Sequence, residues 1–96
     1  MKKREEILQI LSQHKSDWQE RYKLRRISLF GSYARGDQQE DSDVDLLVEV
    51  DPSIGLDFVL LAETIEESLG LHVDLISTRA VKPRHWKYIQ EELIDV

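Results

Sequence analysis

The chain contains no cysteine. That excludes disulfide scaffolds and cysteine-ligated zinc, and it fits a reducing compartment. Long hydrophobic runs are missing too. The longest, Phe58 to Ala62 (FVLLA), has five residues, whereas a membrane-spanning helix needs roughly 20. A secretory leader is not expected, because Arg4, Glu5 and Glu6 stand where its apolar stretch would have to begin. Positive charge is scarce: thirteen basic residues face nineteen acidic ones, a net charge of −6. So acidic a chain binds nucleic acid or anionic membrane poorly unless it carries a local basic patch. The expectation is a soluble cytoplasmic protein with no membrane partner and no direct nucleic-acid contact.

What remains is globular composition, 41% hydrophobic and 33% charged, without repeat, linker or low-complexity stretch. Ninety-six residues suit one domain. Area scaling gives a folded surface of roughly 5,700 Å², with about two-thirds of the unfolded chain's surface buried. That supports one core without staples.

Residues 2 to 22 read as a helix, with Ile7, Leu8, Leu11, Trp18 and Tyr22 recurring at helical spacing and a possible break at 14–17. Leu24 to Phe30 reads as a strand whose apolar side is Leu24, Ile27, Leu29 and Phe30. Gly31 and Ser32 end it, and Ser32 is placed to cap a short helix over Tyr33–Arg35 before a polar loop. Asp43 to Val50 is the clearest strand: Val44, Leu46, Val48 and Val50 face one way, Asp43, Asp45, Leu47 and Glu49 the other. An amphipathic helix is expected over 55–69, with Leu56, Val59, Leu60, Ile65 and Leu69 as core positions and Gly70 closing it. Leu71 to Ser77 reads as a third strand. A final helix over 83–93, started by Pro83, carries Trp86, Ile89, Gln90 and Leu93. The order predicts an α/β or α+β fold, a small mixed sheet with helices packed on it.

Three pieces carry chemistry. Phe30-Gly31-Ser32 runs a strand into a Gly-Ser turn, where bare backbone and a hydroxyl suit phosphate oxygens. By itself Gly-Ser is also an ordinary turn. Ten residues further on stands Asp43-Val44-Asp45-Leu46. Positions two apart on a strand share a face, which sets these carboxylates roughly 7 Å apart at the backbone. They read either as a solvated strand face or as a pair that needs a cation between them, and Mg²⁺ prefers such hard oxygen ligands. The third piece is Asp74 in Val73-Asp74-Leu75-Ile76, a strand-edge carboxylate or a partner of the first two. Three carboxylates and a phosphate-holding turn are the parts of metal-assisted phosphoryl transfer.

In this order and spacing the three pieces resemble the nucleotidyltransferase pattern of the DNA polymerase β superfamily. Gly31-Ser32-Tyr33-Ala34-Arg35-Gly36 and Asp41-Ser42-Asp43-Val44-Asp45-Leu46-Leu47-Val48 are similar to its minimal nucleotidyltransferases, the antitoxins of HEPN ribonuclease toxins. The resemblance covers nearly the whole chain, so residues 1–96 are expected to form a single minimal nucleotidyltransferase domain with a polymerase-β-palm-like fold. It implies that Asp43 and Asp45 bind two Mg²⁺ ions, with Asp74 as third carboxylate, ligand or base. It implies that Gly31 and Ser32 hold the triphosphate of ATP and that AMP passes to a tyrosine of the HEPN toxin, silencing it.

Arg35 either contacts phosphates with them or pairs with an acid such as Asp37. The basic stretch Arg79, Lys82, Arg84, His85 and Lys87 suits a triphosphate, a partner or plain solvation. His14, His72 and His85 are scattered and carry no expected role, and Trp18 and Trp86 are expected as core or interface anchors. Larger transferases of the superfamily add a helical domain. A 96-residue chain has little room for both nucleotide cleft and substrate wall, so another protein is expected to complete the acceptor site. The competing reading is an antitoxin that inhibits its toxin by binding alone.

Overall fold

The computed structural model describes residues 2–96. Helix α1 (Arg4–Tyr22) is followed by β1 (Leu24–Phe30), a short α2 (Gly31–Arg35) and β2 (Val44–Val50). A 3₁₀ turn (Pro52–Ile54) leads to α3 (Asp57–Leu69), β3 (Val73–Ser77), a second 3₁₀ turn (Thr78–Ala80), α4 (Pro83–Glu92) and β4 (Ile94–Asp95). The four strands form one mixed sheet in the order β3-β2-β1-β4. β1 runs antiparallel to β2 and β4, and β2 runs parallel to β3 through the α3 crossover. This is the expected α+β class. The exposed surface, 5948 Å², lies close to the roughly 5,700 Å² expected for a folded chain of this mass.

α1 and α3 pack against each other and bury their apolar stripes in the same core as one face of the sheet. Ile7, Leu11, Trp18 and Tyr22 of α1 are buried at spacings of four, seven and four, with no break at 14–17. His14 stacks on Trp18 one turn on, with ring centroids 5.3 Å apart, which carries the helix through its polar stretch. Val44, Leu46, Val48 and Val50 face this core, as their alternation predicts. Leu24 and Ile27 both join it although three residues apart, because a register shift between Leu24 and Arg26 turns the strand by one residue.

Three expectations are corrected. Phe30 is buried but stands outside the core cluster: paired with Asp45, it shares the opposite face of the sheet. Ser32 does not cap α2, which starts one residue earlier with Phe30 at the cap position. Leu56, Val59 and Leu60 are exposed, at 86%, 55% and 49%. The buried stripe of α3 is Leu61, Ile65 and Leu69, with Phe58 packed beside it. At 100° per residue that stripe turns 56, 59 and 60 toward solvent. Of the two tryptophans expected as core or interface anchors, Trp18 is buried in the core and Trp86 is 37% exposed. The last two-residue strand, β4, has no counterpart in the sequence reading.

Among the described residues no helix is long and apolar enough to cross a membrane.

Candidate active site

The second face of the sheet carries the polar residues of interest. In the β2–β3 register Asp45 is the direct partner of Asp74. Neighbouring strands lie about 4.8 Å apart, so the two carboxylates leave the sheet side by side. In the β1–β2 register Phe30 is the partner of Asp45, which brings the end of β1 and the start of α2 to the same place. Asp43 sits just before β2. Val44 pairs with Val73, so residue 43 meets residue 72, and His72 Nδ1 lies 3.2 Å from Asp43 Oδ1.

Gly31 closes the arrangement. Its φ is +77°, and a Cβ built there would lie 2.1 Å from Asp45 Oδ2. Only glycine combines that backbone with such close approach. The turn therefore lays bare backbone directly on the Asp45 carboxylate. The following residue, Ser32, is half-buried, and its carbonyl accepts from the N–H groups of Gly36 (2.8 Å) and Asp37 (3.1 Å).

Arg35, one turn on, is held by two acids. Its Nε donates to Asp37 Oδ2 at 3.0 Å and its Nη1 to Glu92 Oε1 at 2.7 Å. The other oxygen of Glu92 accepts from Gly31 N–H at 3.1 Å. α4, whose last residue is Glu92, contacts both α2 and β1.

The electrostatics are one-sided. Burial pushes the Asp45 carboxyl above the ordinary range, and the charges of Asp74, Asp43 and Glu92 push the same way, against Arg35. The three aspartates nevertheless do not form a closed metal cage: among the described residues no group of three acidic or imidazole side chains is close enough to hold an ion unaided. Asp43 turns toward His72.

The chain as a whole matches a known domain. The sequence profile of the nucleotidyltransferase domain matches residues 11–96. The chain belongs to the nucleotidyltransferase domain family. This nucleotidyltransferase is 46% identical over 101 residues to a Methanocaldococcus jannaschii protein provisionally named a protein adenylyltransferase, covering all of both chains. It is 45% identical over 94 residues to the protein adenylyltransferase MntA of Thermococcus cleftensis, covering 96% of this chain and 94% of that one. Among solved structures, one provisionally described as a minimal nucleotidyltransferase superposes with a TM-score of 0.71 at 35% identity, covering 97% of this chain and 88% of the other. A toxin–antitoxin complex with AMP-PNP superposes at 0.68 with 26% identity, covering 96% and 70%. Nucleotidyl transfer is thus the enzyme's class, and the minimal nucleotidyltransferases are its kin.

Of the residues singled out in the sequence, the fold brings together Gly31, Ser32, Arg35, Asp45 and Asp74, with Asp43 at the rim. The basic stretch Arg79, Lys82, Arg84, His85 and Lys87 lies exposed beyond β3 and on α4. Two neighbours of the site were missed. His72 is found only through the β2–β3 register, and Glu92 only through the return of α4 to α2. Neither carries a local signal, since one is an isolated histidine and the other one acid among many.

Proposed function

We propose that the nucleotidyltransferase transfers AMP from ATP, with Mg²⁺, to a tyrosine hydroxyl of a HEPN ribonuclease toxin and so neutralises it. The observation that carries this reading is the packing of the Gly31 backbone onto Asp45 beside Asp74, which sets a glycine turn against paired carboxylates. The named relatives are protein adenylyltransferases, and a neighbour 26% identical is a toxin–antitoxin complex with AMP-PNP.

In this reading Gly31 N–H, the Ser32 hydroxyl and the Arg35 guanidinium hold the β- and γ-phosphates. Asp43, Asp45 and Asp74 fit divalent ions: they are hard oxygen donors in a site short of positive charge, where Asp45 is raised by its acidic neighbours. Triphosphate oxygens would share such ions with these carboxylates. Two Mg²⁺ ions would supply charge neutralisation and polarise the α-phosphoryl group. Asp74, exposed at its strand position, is placed to orient the acceptor hydroxyl and take its proton. The acceptor oxygen then bonds to the α-phosphorus as the bond to the bridging β-phosphate oxygen breaks, and pyrophosphate leaves. The acceptor wall comes from the toxin.

The test is incubation of the chain with its toxin, Mg²⁺ and ATP labelled at the α-phosphate. Label on a toxin tyrosine, lost with Asp45→Asn, is expected. A stable complex that never acquires label would overturn the reading in favour of inhibition by binding alone.

A further inference from the structure

Glu92 reaches the site from the far end of the chain. Its two carboxylate oxygens take one donor each, Gly31 N–H at 3.1 Å and Arg35 Nη1 at 2.7 Å. That is how an anion bridges an amide and a guanidinium. These are also two of the donors assigned above to the triphosphate, and the present inference rests on that assignment. One amide hydrogen cannot serve both anions, and two anions at that distance repel. Glu92 and Asp45 already repel each other across the site, so an incoming phosphate adds to an acidic neighbourhood.

The helix that carries Glu92 is lightly held. None of the described residues of α4 is fully buried. β4 pairs with β1 through two residues only, Ile94 and Asp95. The strand beyond the helix is better anchored: Ile94 and Val96 pack against the edge of the core, Asp95 accepts from Arg26 and Ser28, Val96 N–H donates to Ile27 O at 3.0 Å, and Lys15 donates to the Val96 carbonyl. The Glu92 side chain is 30% exposed, so it has a path into water. A weakly docked element fixed to a ligand's donors by one carboxylate has two available arrangements, clasped and released.

We propose that Glu92 is an internal anion that occupies the phosphate seat of the empty enzyme, and that nucleoside triphosphate displaces it and releases α4–β4 from α2. Nucleotide loading is thereby coupled to the position of the C-terminal segment. When the competent state is only partly populated, apparent affinity falls by that fraction, so removing the internal competitor raises affinity.

The test uses the full chain with three variants, Glu92→Gln, Glu92→Ala and Glu91→Gln. Glu91 is exposed, so the last removes the same charge one residue from the seat. Circular dichroism melts establish that each variant folds. Calorimetry measures binding of tripolyphosphate, and of a non-hydrolysable ATP analogue with Mg²⁺. Glu92→Gln and Glu92→Ala are expected to tighten both by about 10-fold or more, the factor by which one charge-assisted hydrogen bond shifts an equilibrium. Glu91→Gln should stay within about 2-fold, as an exposed charge does. Hydrogen exchange gives the second readout: tripolyphosphate should speed exchange in residues 86–95 of the wild type and have no further effect in Glu92→Ala. Unchanged or weaker binding by both Glu92 variants overturns the proposal, as does equal tightening by Glu91→Gln. Failure of every form, wild type included, to bind either probe overturns the triphosphate reading itself.

Discussion

Replacing Gly31 with alanine probes the contact on which the site is built. Two separate costs are expected. At φ +77° any side chain is strained, about 1–2 kcal/mol for a left-handed residue. The new Cβ also meets Asp45 Oδ2 at 2.1 Å and Asp45 Cγ at 2.9 Å. The carboxylate must move off a packed position, an overpacking cost of about 1–3 kcal/mol. Together Gly31→Ala should destabilise by about 2–5 kcal/mol. Gly36→Ala is the control: φ is +84° but nothing lies within 4 Å of its Cβ, so only the strain of about 1–2 kcal/mol remains. Asp45→Ala deletes the two nearest atoms and leaves Asp45 Cβ at 3.1 Å, so in that background the cost of Gly31→Ala should fall close to that of Gly36→Ala. The assay is urea unfolding of the two glycine variants, each with and without Asp45→Ala. A coupling energy of about 1–3 kcal/mol between positions 31 and 45 is expected. Equal losses for Gly31→Ala and Gly36→Ala, or no coupling with Asp45, would refute the reasoning.

Asp45→Asn removes a half-buried charge that Asp74 and Asp43 repel, so melting of the nucleotide-free protein should be unchanged or higher while any Mg²⁺-dependent gain disappears; a large drop would mark Asp45 as a structural acceptor. Ser32→Ala should slow label transfer by about 10–150-fold, the worth of a hydroxyl bonded to a charged phosphate. Its melting temperature should barely change, since Ser32 bonds the turn through its carbonyl; a normal rate with a lowered melting temperature removes Ser32 from the site. Away from the site, hydrogen bonds from the Ser53 side chain and backbone, then the Arg25 guanidinium, hold the Asp51 carboxyl down to about 2. A carboxyl depressed in the folded state stabilises above its unfolded value and loses that contribution as pH falls through the folded one. Asp51→Asn should therefore lower the melting temperature at neutral pH, with the gap to wild type closing between pH 3.8 and about 2; a gap that widens with acid would refute this.

Local pattern alone set much of this protein. Alternation in Val44–Val50 fixed which face of β2 is buried and, with it, that Asp45 faces away from the core. The helical spacing of Ile7, Leu11, Trp18 and Tyr22 fixed α1. Gly31-Ser32, Asp43, Asp45 and Asp74, in order and spacing, named the chemistry, because a reaction constrains residue type at positions that packing leaves free. Tertiary structure decided the rest. The stripe of α3 is ambiguous in a sequence apolar on several sides, and only docking on α1 and the sheet selected Leu61 over Leu60 and Val59. The meeting of Asp45 with Asp74, and of Asp43 with His72, depends on a parallel register set across a crossover helix, which no local signal encodes. The clasp of Glu92 on Gly31 and Arg35 joins residues about sixty positions apart. A charge on a helix surface is chemically mute until the fold brings a partner to it, and here the partners are a backbone amide and a guanidinium of α2.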